Sequence, residues 1–151
     1  MNRIDACADA TSLAARICLA LLFVPSGFAK LGGFAAVVGS IAAKGVPVPE
    51  VCAAIAVGAE LGLGLLLLMG LTTRRAALGL AIFVAVITPL FHNFWAAPPA
   101  QVTLQQLMFF KNLAILGGLL MVATFGPGRW SLDTIALGST APRGELFTSH
   151  S

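Results

Sequence analysis

From Val51 to Leu71 the chain runs through 21 residues whose only charged side chain is Glu60. A helix of that length rises about 30 Å, the thickness of a bilayer's hydrocarbon core. Inside lipid every backbone N–H and C=O must be satisfied within the protein, so such a segment has to be helical. A carboxylate halfway along it costs roughly 2.5–3.5 kcal/mol on insertion scales. It therefore calls for a counter-charge, a proton or a purpose.

Three further segments approach or reach spanning length: Leu13–Ala29, Ala76–Phe91 and Thr103–Phe125. The third span in chain order, Ala76–Phe91, is the shortest, and Arg74/Arg75 and His92–Trp95 extend it. Charged residues make up only 10% of the 151, against roughly 25% in soluble domains, too few to coat a globule in water. The sequence thus predicts an all-α integral membrane four-helix bundle. One domain covers residues 1–133, and residues 134–151 form a flexible cytoplasmic tail without a core-forming pattern. A fifth apolar stretch, Phe34–Ala43, is too short to span and sits between Gly32-Gly33 and Gly45-Val46-Pro47-Val48-Pro49, so a short interfacial or re-entrant helix is expected between spans one and two.

Arginines set the expected orientation. The turn Thr72-Thr73-Arg74-Arg75 favours the cytoplasm, and alternation then places both termini inside with Arg3, Arg16, Arg129 and Arg143. Lys30 and Lys44 fall on the opposite, outer side. Asp5 and Asp9 do not fit the basic n-region of a cleaved signal peptide, so the first span is expected to be retained. The net charge of +3 comes without a Lys/Arg cluster or interleaved aromatics, which argues against nucleic-acid binding. Cys7, Cys18 and Cys52 form no Cys-x-x-Cys pair and read as small apolar residues rather than exchange-competent thiols.

Depth organises the remaining polar residues. Glu60 lies about 13 Å below the outer end of span two, and Lys111 and Asn112 lie about 12–14 Å below the outer end of span four. Lys30 closes span one, and His92 and Asn93 close span three. The inner stretches Leu65–Met69, Leu78–Val84 and Leu116–Val122 carry no ionisable group. A polar pocket in the outer half, built from Lys30, Glu60, His92, Asn93, Lys111 and Asn112, is the functional expectation, with Glu60 as the proton-exchange candidate. Each member also has a plain reading: Glu60 and Lys111 as an ion pair fixing helix register, His92 as an interfacial anchor, Lys30 as a snorkelling cation. Glu60 shares a face with Ala53, Ala56 and Gly64, which admits a close neighbour. Ala54, Gly58 and Gly62 form a second small-residue stripe suited to helix packing. Gln105 and Asn112 line one face of span four. One membrane histidine and one carboxylate fall short of a metal ligand set, and no phosphate loop, nucleophile elbow or haem-attachment motif occurs.

The chain resembles the DoxX family of small bacterial inner-membrane proteins from about Arg16 to Asp133. The likeness rests on Arg16 with Leu22-Phe23-Val24-Pro25-Ser26-Gly27-Phe28-Ala29-Lys30-Leu31, on Ala59-Glu60-Leu61-Gly62, and on Gly70-Leu71-Thr72-Thr73-Arg74. It continues in Phe91-His92-Asn93-Phe94-Trp95, Phe110-Lys111-Asn112-Leu113-Ala114 and Gly126-Pro127-Gly128-Arg129-Trp130-Ser131-Leu132-Asp133. The resemblance implies a four-helix protein of the bacterial inner membrane, often tied to redox or sulfur metabolism. Relatives of that family include subunits of a thiosulfate:quinone oxidoreductase and a member linked to a membrane oxidoreductase complex with superoxide dismutase. The family's recurrent polar positions match Lys30, Glu60, His92, Lys111 and Asn112. Three functions follow as expectations: a redox-associated subunit binding a quinone or similar small molecule; a non-enzymatic scaffold for a membrane or peripheral oxidoreductase; or a small proton-coupled transporter, for which a homodimer would supply the missing half.

Overall fold

The computed structural model describes residues 3–138, and these are mostly helical, with no strand among them. Helix α1 (Arg3–Gly32) is followed by the short α2 (Phe34–Ala42). A continuous second span then begins as α3 (Pro49–Gly58), passes through a π turn at Ala59–Leu63 and ends as α4 (Gly64–Met69). Helix α5 (Thr73–Phe91), two 3₁₀ turns, α6 (Val102–Phe125) and α7 (Leu132–Gly138) complete the order. Four of the described helical segments are long and apolar enough to cross a membrane. Helix α7 continues past Asp133, and residues 139–151 of the expected tail lie outside the described residues.

The core is a narrow seam of Phe23, Leu67, Ala77, Leu80, Ala81, Val84, Leu119 and Val122. Helix α5 occupies the centre because its inward face, including Ala76, Ala77 and Ala81, is small enough for α4 and the π turn to approach from one side and α6 from the other. Much of the outer surface is apolar, with Leu21, Phe28, Ile55, Ile82, Leu107 and Phe125 all exposed. A single chain leaving that much hydrocarbon uncovered is suited to lipid rather than water. Helix α1 crosses the π turn at Gly27, where an added Cβ would lie 2.7 Å from Leu61 Cγ, so only glycine allows the two helices to meet there. Among the small-residue stripes, Ala53 is buried and Gly64 sits against Phe23 and Val24. The second stripe does not pack within the chain: Ala54 is exposed, and nothing lies within 4 Å of a Cβ added at Gly58 or Gly62.

A polar clasp holds the arginine-rich end, built on Arg16 and Arg74. Arg16 is fully buried in α1. Its guanidinium donates to the carbonyls of Leu67 (3.4 Å) and Leu68 (3.2 Å) at the end of α4, and to Trp130 O. Arg74 donates to Thr124 O at 2.6 Å, satisfying the last turn of α6. Leu68 O and Thr124 O belong to the last turns of α4 and α6, whose carbonyls a helix leaves short of partners at its C-terminus. Asp9 accepts from the Arg129 backbone N–H at 2.9 Å.

Asp133 closes the clasp. Its two carboxylate oxygens accept the N–H groups of Thr72 (2.6 Å) and Thr73 (2.8 Å) at the start of α5, while its own N–H donates to Gly70 O (2.8 Å). Burial pushes this carboxyl up, but the hydrogen bonds from Thr73 and Thr72 and the charge of Arg16 outweigh it and hold Asp133 below the usual carboxylate range. The folded group thus ionises at lower pH than the unfolded one. Its stabilising contribution is complete above the unfolded value, near about 4, and is lost as pH falls through the lower folded value. We expect the wild type to lose thermal stability across that acidic window and Asp133→Asn to start less stable and show a shallower loss. Thermal unfolding at stepped pH checks this; parallel curves would contradict it.

Candidate small-molecule site

Glu60 is 4% exposed and lies within the π turn. The extra residue in a π turn shifts the facing of the side chains around it, and such turns are frequent at functional sites. Here Glu60 faces α1, where Lys30 Nζ stands 2.7 Å from both Oε1 and Oε2. Ser26, one turn earlier in α1, accepts the third ammonium N–H at 2.7 Å. The counter-charge of Glu60 is therefore Lys30, and the expected pairing of Glu60 with Lys111 is not formed. Both lysines fall in the outer half of the bundle, but α1 packs against the π turn and α6, which carries Lys111, does not do so to a comparable extent.

The pair opens onto a cavity of about 540 Å³. One wall is α5, through Phe83, Val86, Ile87, Leu90 and Phe91. Another is α3 with Cys52, Ile55 and Ala56, and α2 covers the end of α1 with Val37, Ser40 and Ile41. Helix α2 packs along α3 and so contributes wall to the site. Lys30, Glu60 and His92 are the three predicted residues that line this space. An apolar chamber of this size with a few convergent polar groups has the dimensions and chemistry of a small-molecule site.

The other three predicted residues lie elsewhere. Asn112 donates to Thr88 Oγ1 at 3.1 Å and joins α6 to α5, while Thr88 itself donates to Val84 O. Lys111 is exposed on α6 with its ammonium 3.2 Å from Met108 Sδ. Asn93 lies at the turn after α5, outside the cavity wall. His92 is held by Gln105, with Nδ1 2.9 Å from Oε1, so Gln105 and Asn112 do share the α5-facing side of α6. Beside the mouth-side turn, Phe94, Trp95, Phe109 and Phe110 stack edge to face. Sequence reasoning missed Ser26 and the α2 and α5 walls. The four-residue spacing from Ser26 to Lys30 was the available signal.

A helical membrane protein with a buried carboxylate–ammonium pair beneath an apolar chamber is the class this fold and site define. Within that class the chain belongs to the DoxX family, whose family model matches residues 11–93. It is 35% identical to "Inner membrane protein YphA" of Escherichia coli over 121 residues, covering 80% of this chain and 86% of that protein. It is 37% identical to "Inner membrane protein YqjF" of the same organism over 127 residues, covering 84% and 92%. A shorter similarity, 35% over 71 residues, links it to "Surfeit locus protein 4 homolog" of Drosophila melanogaster, covering 45% of this chain and 26% of that protein. No solved structure matches.

Proposed function

We propose that this DoxX-family protein is a multi-pass protein of a bacterial inner membrane, with both termini cytoplasmic, that binds a quinone-like or other apolar small molecule in the chamber above Lys30 and Glu60. The observation that carries the reading is the chamber itself: about 540 Å³, lined mostly by apolar side chains, with the Lys30–Glu60 ion pair, His92, Ser40 and Cys52 as its polar features. A hydrophobic ring or tail fits the α2, α3 and α5 walls, and the polar end of the molecule meets the Lys30–Glu60 pair and His92. Glu60 is the proton-exchange candidate because an ion pair can pass a proton between its members without leaving net charge in the membrane. The sequence carries no flavin, haem or iron–sulfur motif, so a redox role requires a partner that supplies electrons.

The test uses the purified full chain in mild detergent and a short-chain alkylated benzoquinone supplied as an equilibrated mixture with its hydroquinone. Saturable binding of one molecule per chain is expected. Binding that only tracks partitioning into the micelle would reject the reading.

A second reading, a scaffold for an oxidoreductase partner, is favoured by Lys111. That cation sits on an exposed face of α6 within a spanning segment, with no carboxylate within 4 Å among the described residues. A partner membrane helix carrying an acidic residue at that depth would complement it. Charge reversal at Lys111, rescued by reversal on an identified partner, distinguishes this from lipid contact.

A further inference from the structure

We infer that the chamber selects a ligand whose polar head donates hydrogen bonds, a phenol or hydroquinone, over one that only accepts them, such as the corresponding quinone. The inference rests on the small-molecule reading above and follows from the polar groups in the chamber wall. Five polar side chains line it: Lys30, Ser40, Cys52, Glu60 and His92.

An ammonium has three N–H donors and no lone pair. All three of Lys30 are engaged, two on the Glu60 oxygens and one on Ser26 Oγ. Ser40 donates its hydroxyl proton to Ala36 O at 2.9 Å. The Cys52 thiol is directed at Pro47 O at 3.6 Å. With Gln105 Oε1 as the acceptor, the neutral His92 tautomer that makes this bond carries its proton on Nδ1 and presents Nε2 as a lone pair. Every side-chain donor in the wall therefore has a partner already.

What remains is acceptor capacity. Each Glu60 oxygen has a further lone-pair direction, the Ser40 oxygen retains its lone pairs, and His92 offers Nε2. A quinone carbonyl entering this chamber meets acceptors and gains a bond only by detaching Lys30 from Ser26 or from Glu60. A hydroxyl head meets an open carboxylate and forms a charge-assisted bond at once, without disturbing the wall. Within a quinone couple the reduced member is therefore the one retained, whichever partner oxidises or reduces it.

The test compares three probes with the same alkylated ring, bound anaerobically to the purified full chain: the hydroquinone, the quinone, and the hydroquinone dimethyl ether, which keeps the oxygens and lacks the donors. The hydroquinone is expected to bind at least about tenfold more tightly than the dimethyl ether and the quinone, the discrimination expected of one hydrogen bond to a charged acceptor. Ser26→Ala, at a half-buried position outside the chamber wall, releases one Lys30 donor and is expected to narrow the quinone's disadvantage about threefold or more. Equal binding of all three probes overturns the donor rule and leaves the chamber reading standing. Binding of none of them overturns both. A Ser26→Ala variant that binds but keeps the wild-type ratio overturns the assignment of Lys30 as the engaged donor.

Discussion

Lys30→Met is expected to lower the stability of the protein by about 3 kcal/mol, a fall in apparent Tm of roughly 10 °C in detergent. The substitution keeps the length of the side chain and removes the only counter-charge that Glu60 has among the described residues. Glu60 is then a buried carboxylate that must take up a proton or remain uncompensated. The figure is set at the low end for a broken buried pair because the Lys30 side chain retains 30% exposure, against 5% for Glu60. The double variant Lys30→Met/Glu60→Gln removes both charges and is expected to recover most of the loss, since a buried amide carries a far smaller desolvation penalty than an unpaired carboxylate. Differential scanning fluorimetry on the three proteins measures this cycle. Additive losses in the double variant would mean that the two residues do not stabilise one another.

The second large effect is expected at the opposite end, from Gly70→Ala. Gly70 has φ +70 and ends α4 in the left-handed region, where a Cβ costs about 1–2 kcal/mol from backbone strain alone. The new methyl would also collide with the Arg16 guanidinium and come within 2.6 Å of Ser131 Cβ. Relieving that contact detaches Arg16 from Leu68 O and Trp130 O and leaves both carbonyls short of a donor, while Leu67 O keeps the N–H of Gly70. A total loss of about 3 kcal/mol or more is expected. Gly58→Ala is the control, because nothing lies within 4 Å of its Cβ and alanine suits a helix interior better than glycine. Its expected change is about zero or slightly stabilising, and a loss there matching Gly70→Ala would contradict the clasp.

These two predictions concern residues the sequence made legible to very different degrees. Membrane spans follow from hydropathy alone, so Val51–Leu71 and Thr103–Phe125 became helices at Pro49–Met69 and Val102–Phe125. The first span is longer than predicted, reaching back to Arg3, because a helix does not stop where its apolar stretch begins. That Glu60, Lys30 and His92 belong to the same half of the bundle was also readable, since position along a helix is set by residue count. Which lysine meets Glu60 was not readable. That depends on the lateral order of the helices and on the turn given to the Glu60 side chain by the π bulge, and neither leaves a periodic trace in the sequence. The capping contacts of Arg16 were not readable for a related reason: they depend on which helix end is placed beside it.

If the Lys30–Glu60 pair and its chamber hold a small molecule, that molecule should travel with the protein through purification. The most direct measurement is a mass-spectrometric inventory of molecules extracted from the full chain purified in mild detergent, made on the wild type and on Lys30→Met/Glu60→Gln. The prediction is an apolar molecule with a polar head present near one per chain in the wild type and depleted in the double variant, with bulk phospholipid unchanged between them. An identical complement in both proteins, consisting of phospholipid alone, would contradict it.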